Sequence, residues 1–396
     1  MNKMKTAPAI PRSVWVLGFV SMLMDISSEM IHSLLPLYLT VSLGASALAV
    51  GVIEGIAEST ALIVKVFSGT LSDRWRKRKA ITAFGYGLAA FSKPLFAIAS
   101  GPWLVFFARF LDRIGKGIRG APRDALIADL TPQEIRGAAF GLRQSLDTIG
   151  AFAGPLMAMA LMLAWNDDFR AVFWFAVIPA MLSFALVTFA VKEPEAPPAA
   201  AKSEKVSLDR ATMARLGHAF WGITAAGTAL TLARFSEAFL ILRGSNLHMH
   251  PAYAPLIFVG MNVVYSVTAY PVGRLADRMS RRTLLLIGVV FLVAADIVLA
   301  MATGLVALAV GIALWGLHMG FTQGVFSAMV AQASPAALRG TAFGVFNLAS
   351  GIAILVSSAL AGALWQFVGP AATFVAGAAL AALSFVITLL AIRRSQ

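Results

Sequence analysis

A chain of 396 residues that is 59% hydrophobic and 13% charged, with a mean hydropathy of +0.80, lies far above the roughly 45 to 50% apolar content of a soluble domain. Apolar runs long enough to cross a bilayer recur along its whole length, which makes it an all-α polytopic membrane protein and leaves no room for a large soluble domain. The formal net charge of +13 does not mark a nucleic-acid binder, because the Lys and Arg clusters sit in short connections between apolar runs and so orient the chain against anionic lipid. With no cysteine, disulfides, thiolate metal sites and cysteine nucleophiles are excluded.

In chain order the predicted spans fall at 14–40, 47–72, 80–99, 102–121, 136–164 and 170–191, then at 213–242, 253–276, 283–301, 304–330, 338–366 and 370–392. The first follows Lys3, Lys5 and Arg12, holds Asp25 and Glu29 and lacks a small-residue cleavage pattern, so it is expected to be a retained helix. The stretch KEPEAPPAAAKSEK that opens at Lys192 suits a solvated linker. The expected organisation is therefore an N-terminal six-helix half at 1–191, a linker at 192–212 and a C-terminal six-helix half at 213–396. Loops at 74–79, 119–136 and 274–282 are basic, whereas 41–46, 100–102 and 301–304 carry no charge, which predicts that both termini are cytoplasmic.

An internal repeat supports the two halves. GTLSDRWRKR, from Gly69 to Arg78, matches GRLADRMSRR, from Gly273 to Arg282, at a shift of 204 residues. ADLTPQEIRGAAFG, from Ala128, matches AQASPAALRGTAFG, from Ala331, at a shift of 203. A duplicated six-helix unit with a site between its halves is a transporter plan.

These residues resemble the signature loops of the major facilitator superfamily, between helices 2 and 3 and helices 8 and 9, although Arg76 and Ser280 stand where glycine is usual. The resemblance implies twelve transmembrane helices in two pseudo-symmetric halves and a cytoplasmic gate at Gly69, Asp73, Arg74, Arg78, Arg119, Arg123, Gly273, Asp277, Arg278 and Arg282. Asp73 would face Arg339 to Thr341, and Asp277 would face Arg136 to Ala138, since a carboxylate is favoured at a helix N-terminus. Gly150, Gly154 and Pro155 resemble the helix 5 element of proton-coupled drug antiporters. Arg109, with Phe110 and Leu111, resembles a helix 4 motif of the same branch, but Asp112 and Arg113 replace the usual Gln and Gly.

The run Arg109 to Asp124 places Arg109, Asp112, Arg113, Lys116, Arg119 and Arg123 in what the pattern requires to be a spanning helix. A charge near mid-bilayer costs roughly 2.5 to 3.5 kcal/mol on insertion scales, so such residues line water or meet partners. At a shift of 203 residues, Asp112, Arg113, Lys116, Arg119, Arg123 and Asp124 stand opposite Trp315, Gly316, Met319, Thr322, Phe326 and Ser327, so the repeated architecture does not itself need those charges. The spacing puts Asp25, Glu29 and His32 on one face of helix 1 and pairs Arg143 with Asp147 on helix 5. Depth matching predicts that Asp25, Glu29 and Asp147 face the helix 4 cations. Gly120 and Pro122 are expected to end helix 4. Asp25, Glu29, Asp112 and Asp147 are the candidate proton sites. His32, Arg109, Arg113, Lys116, Arg143, Arg234, Glu237, Trp315 and His318 are the candidate pathway residues. Static ion pairs that fix helix register are the competing explanation, above all for Glu54, Glu58, Lys65 and Lys93.

The expected function is proton-driven export of a small polar or anionic solute by alternating access, by a monomer of a bacterial inner membrane. Uptake of an organic anion, or export of a metal or organic cation through the helix 1 face, is the alternative. No cofactor or resident metal is expected, and no nucleophile triad, metal-ligand cluster or phosphate loop suggests an enzyme. The GKG at Gly115 to Gly117 lacks the remainder of a nucleotide-binding motif.

Overall fold

The computed structural model describes residues 9–75, 77–192, 210–276, 278–335 and 338–392, with the side chains of 70, 73, 74, 210 and 211 left aside. The first half comprises α1 (Arg12–His32), α2 (Ala47–Trp75), α3 (Arg78–Ala97), α4 (Pro102–Leu130), α5 (Arg136–Ala164) and α6 (Phe169–Ala185). The second comprises α7 (Gly217–Ala233), α8 (Pro255–Leu275), α9 (Arg281–Met301), α10 (Leu305–Ala333), α11 (Arg339–Phe367) and α12 (Pro370–Ala391). A short helix at Arg210–Arg215 precedes α7 and overlaps the end of the predicted linker, the rest of which lies largely outside the described residues.

The sequence repeat persists in the helices to the residue. Helices α4 and α10 each run 29 residues, as do α5 and α11, and every start is displaced by 203. Both α4 and α10 follow an extended glycine, Gly101 and Gly304. Close crossings repeat as well: a methyl group added at Gly85 would lie 2.8 Å from the Gly115 carbonyl oxygen, and one at Gly288 would lie 2.6 Å from Thr322 Cγ2. Ten helical segments are long and apolar enough to cross a membrane. The two crossings outside that set are α3 and α4, which carry Lys93 and the Arg109–Asp124 charges.

Three departures from the predicted spans have physical causes. Helix α4 does not stop at Gly120 and Pro122 but continues to Leu130. A proline forfeits one backbone hydrogen bond, a loss that neighbouring packing tolerates in membrane helices. The first crossing is interrupted after His32 and finishes as Leu35–Leu37 and a π-turn at Tyr38–Ser42, with Pro36 in the first turn after the interruption. The seventh crossing is likewise not one helix: α7 ends at Ala233, and a short helix at Ala238–Asn246 completes it. The Ser236 amide, released by the break, donates to Ser358 Oγ at 3.1 Å.

The halves meet tightly at the end of the bundle remote from residues 12 and 391. There α2 crosses α11 on small residues: methyl groups at Gly55 and Gly362 would lie 3.1 Å from the Leu355 oxygen and 2.7 Å from the Ala47 oxygen. His250 Nε2 approaches Asp167 Oδ2 at 3.3 Å across the same end, and the rings of His32 and Phe258 meet at 4.9 Å. At the other end, methyl groups at Gly137, Gly141, Gly273, Gly324 or Gly340 would meet nothing within 4 Å. The molecule is closed at one end and open at the end that bears the termini.

Candidate functional site

Six charged side chains of the first half, Glu54, Glu58, Lys93, Arg109, Asp112 and Arg113, form one connected array. On α2, Glu54 and Glu58 are one helical turn apart and face α4, where Arg109 and Arg113 repeat the same spacing. Arg109 Nη2 donates to Glu54 Oε2 at 2.8 Å and reaches Glu58 Oε1 at 3.4 Å. Arg113 Nη1 donates to the same Glu58 oxygen at 3.2 Å and turns its other edge to Asp112 at 3.0 to 3.1 Å. Asp112 then meets Lys93 Nζ at 2.7 Å, and Lys93 also donates to Ser28 of α1 at 3.0 Å. Glu54, Lys93, Arg109, Asp112 and Arg113 are each at most 2% exposed, whereas the Glu58 side chain is 33% exposed. Glu58 is thus the member of the chain that water reaches.

The predicted partners of the α4 cations are corrected by this geometry. Arg109 and Arg113 pair with Glu54, Glu58 and Asp112, not with Asp25, Glu29 and Asp147. Rotation about the axis turns α4 toward α2 and α3. Glu54, Glu58 and Lys93, which spacing alone left as outlying pairs, are its neighbours. Their signal in the sequence was the four-residue step from Glu54 to Glu58, matching Arg109 to Arg113.

Asp25, Glu29, Lys116 and Asp147 form a second, more open group. Asp25 lies within electrostatic range of Asp147 and Lys116, and Lys116 within range of Glu29 and Glu58. Lys116 is exposed, and Arg143 bridges Asp124 at 3.1 Å and Asp147 at 3.4 Å. His32 lies between the groups, 3.6 Å from Glu29 and 3.5 Å from Glu54. Ligand atoms of His32, Glu54 and Glu58 fall within 4.8 Å of one another. A metal ion does not fit this trio as it stands, because the Arg109 guanidinium already occupies the cation position between both carboxylates.

Gly150 and Gly154 let α5 approach α1. Methyl groups there would lie 2.7 Å from the Met22 and Ile26 carbonyl oxygens and 3.0 and 2.9 Å from the β-carbons of Asp25 and Glu29. The element therefore sets the distance between the helix that carries Asp25 and Glu29 and the one that carries Asp147, with Pro155 buried beside Gly154. In the second half, Arg234 and Glu237 flank the break in the seventh crossing and do not share a continuous helix. Glu237 is within electrostatic range of Arg234 and, across the interface, of His32, Glu58 and Glu29. Trp315 and His318 are fully buried inside the second half, away from the open wall.

At the open end, Arg78 pairs with Asp129 and donates to the Ala125 oxygen at 3.1 Å, both on α4. Arg119 lies over the Tyr86 ring at 4.8 Å, and Arg123 donates to Ser21 at 2.7 Å. Gly69 packs toward Ala121 of α4. Arg282 donates to the Leu389 oxygen at 2.5 Å, while Gly273 and Arg278 are exposed. The expected contacts of Asp73, Arg74 and Asp277 lie outside the described residues. Of their intended partner segments, Arg136 to Ala138 and Arg339 with Gly340 are exposed, whereas Thr341 is buried.

Comparison with known proteins gives this arrangement a context. A model of the Major Facilitator Superfamily matches residues 17–242 and 220–396. An uncharacterized MFS-type transporter of Methanocaldococcus jannaschii is 31% identical over 388 residues, covering 96% of this chain and 95% of its own. The inner membrane transport protein YajR of Escherichia coli is 26% identical over 401 residues, covering 96% and 84%. Among solved structures, a mutant form of the nucleoside transporter NupG superposes with a TM-score of 0.79 at 15% identity, covering 96% of this chain and 100% of that one.

Proposed function

Because this chain belongs to the major facilitator superfamily, and is therefore a secondary membrane transporter of the all-α major facilitator fold and not an enzyme, we propose that it moves a small polar or anionic solute in exchange for protons. Alternating access by rocking of the two halves would carry out the movement. One observation carries this assignment: water-accessible Glu58 is shared by Arg109 and Arg113, which are otherwise buried. A proton on Glu58 would free one edge of each guanidinium, with Arg109 still held by Glu54 and Arg113 by Asp112, and such planar forks suit carboxylate and phosphate groups. Lys116, exposed beside Glu29 and Asp25, extends the same basic wall.

Export is favoured by the helix 5 element, since Gly150 and Gly154 hold the carboxylates of α1 and α5 close together. Asp25, Glu29 and Asp147 are the proton carriers on this view, with Asp112 locked by Lys93. Uptake is the second possibility and has its own support. If protonation of Glu58 opens Arg109 and Arg113 to an anion, proton and solute bind together, which is the logic of symport. By the charge asymmetry of the loops both termini are cytoplasmic, so the open end faces the cytoplasm of a bacterial inner membrane.

The test begins with a thermal-shift screen of purified protein against organic anions, drugs and divalent cations. Each hit is then followed as flux in sealed proteoliposomes with a trapped pH indicator. Solute and proton moving in opposite directions supports export, and movement together supports uptake. Collapse of the pH gradient should abolish net accumulation, and Asp25→Asn or Asp147→Asn should uncouple it. Transport indifferent to the gradient and to Glu58→Gln, Asp25→Asn and Asp147→Asn would remove proton coupling altogether.

A further inference from the structure

Asp296 is a carboxyl group that the array above does not use. It lies on α9, is 0% exposed, and neither of its oxygens has a hydrogen-bond partner among the described residues. The pocket is built for it: a methyl group at Gly377 of α12 would lie 2.6 Å from Asp296 Oδ2 and 2.9 Å from Phe235 Cε1. Only a residue without a side chain leaves that space. Phe235 in turn meets the Trp315 ring of α10 at a tilt, 5.5 Å between centroids, and the Phe374 ring of α12 edge-on at 5.6 Å. Trp315 Nε1 is also buried without a partner.

The internal repeat explains what is missing. At the displacement of 203 residues that superimposes the starts of α3 and α9 and of α4 and α10, Asp296 takes the place of Lys93 and Trp315 the place of Asp112. In the first half these two positions form a closed ion pair at 2.7 Å. In the second half the pair of positions holds one acid and no base. The charged groups nearest along the chain do not supply one. Arg281 and Arg282 are at the start of α9, about 21 Å or more away at helical rise. His318 of α10 gives Nδ1 to the Gly288 oxygen at 2.9 Å, two turns from Asp296. Helix α12 has no titratable side chain, and Arg234 and Glu237 flank the break beside Phe235.

An ionised carboxylate with no partner in such a pocket costs several kcal/mol of lost solvation. A metal ion would need further oxygen ligands, and the lining is aromatic and glycine. The proton is the cation that needs neither room nor additional ligands. We propose that Asp296 is a proton-binding site of the transport cycle, loaded in the conformation closed at the end remote from the termini and emptied when α9, α10 and α12 shift against the seventh crossing. The inference rests on proton coupling as proposed above, but it places one coupling proton in the half that lacks the buried ion-pair array.

Two measurements on the full chain test it. Infrared spectra of reconstituted protein, titrated from acid to alkaline pH, should show the carbonyl band of a buried carboxylic acid, and Asp296→Asn should lose that band. The chain has no cysteine, so a single one placed at Gly137 on the open end reports conformation through its alkylation by a maleimide. Alkylation should depend on pH in otherwise unaltered protein and lose part of that dependence with Asp296→Asn. Asp296→Leu, which fills the pocket without an ionisable group, should behave like Asp296→Asn, and so separates proton binding from side-chain shape.

An unchanged band in Asp296→Asn, or pH-dependent alkylation equal in variant and parent, overturns the proposal for Asp296. A carboxylate band that responds to sodium chloride but not to pH would reassign the site to sodium and likewise overturn it. Alkylation of the parent that ignores pH altogether defeats the wider proton-coupling proposal, while the infrared band still reports separately on whether Asp296 holds a proton.

Discussion

Two helix pairs, α3 with α4 and α9 with α10, share one backbone plan and opposite chemistry. Both pairs cross at a glycine, Gly85 in the first and Gly288 in the second. Along the first crossing lie Lys93, Arg109, Asp112 and Arg113, tied to Glu54 and Glu58 of α2. The matching positions along the second are Asp296, Ile312, Trp315 and Gly316. Since the same geometry forms with and without the charges, the fold does not require them. Buried ion pairs bring little net stability, because desolvation offsets much of the attraction. Their concentration in one half is therefore not explained by stability and is what the proposed function draws on, while the matching positions of the second half are largely apolar.

The comparison can be broken most forcefully at Lys93. Lys93→Met leaves Asp112 short of a buried cation and should cost about 3 to 5 kcal/mol, as for other broken buried pairs. The double variant Lys93→Met with Asp112→Leu, which makes the first half resemble the second, should recover most of that loss in thermal unfolding measured in detergent. A double variant as unstable as the single one would show that the fold does depend on the pair.

A smaller effect is expected where α5 and α11 are compared. Gly150→Ala and Gly154→Ala push a methyl group against the α1 backbone and should each cost about 1 to 3 kcal/mol, in the range of other overpacked sites. The counterpart of Gly154 is Ser357, whose hydroxyl bonds only to Ile354 within its own helix at 3.1 Å. Ser357→Ala should cost no more than about 0.5 to 1.5 kcal/mol. Equal losses in the two halves would remove any special role for the α1–α5 contact.

The smallest effect concerns the two halves where they touch. His250 and Asp167 are 55% and 34% exposed, and their bridge spans the closed end. An exposed pair of this kind contributes about 0.2 to 1 kcal/mol. Asp167→Asn should shift the balance between open and closed forms less than about fivefold, and the shift should shrink as salt is added. Single-molecule distance measurements with labels on the two loops would read it.

Much of the architecture was legible because it rests on two robust signals, apolar run length and an internal repeat. The 203-residue displacement seen in a short motif near Ala128 and Ala331 holds for the boundaries of α4, α5, α10 and α11. The breaks were not legible. Ser33–Leu34 and Arg234–Glu237 sit in runs apolar enough to read as continuous helix, and the second break is stabilised by Ser358, more than a hundred residues away. In the site, the charged residues of α4 were identified, but their partners were misassigned. Composition and depth fix how far along a helix a charge lies; packing against α2 and α3 fixes which way it points. Asp296 escaped notice for a related reason. A lone acid in an apolar run has no local pattern, and it stands out only once the repeat is laid over the pocket that surrounds it.

The seam between α2 and α11 is made of main chain against main chain, with Gly51, Gly55, Ser358 and Gly362 at its contacts. A constriction built of large side chains can breathe, because rotamers exchange within nanoseconds. This one has little to swing aside beyond the Phe239 ring next to Gly51. It opens only when whole helices separate, a motion of microseconds to milliseconds. Such a closure is either shut or parted, so ions and water do not slip past a loaded carrier between strokes. A secondary transporter needs that tightness, and here it comes from residues chosen for what they lack.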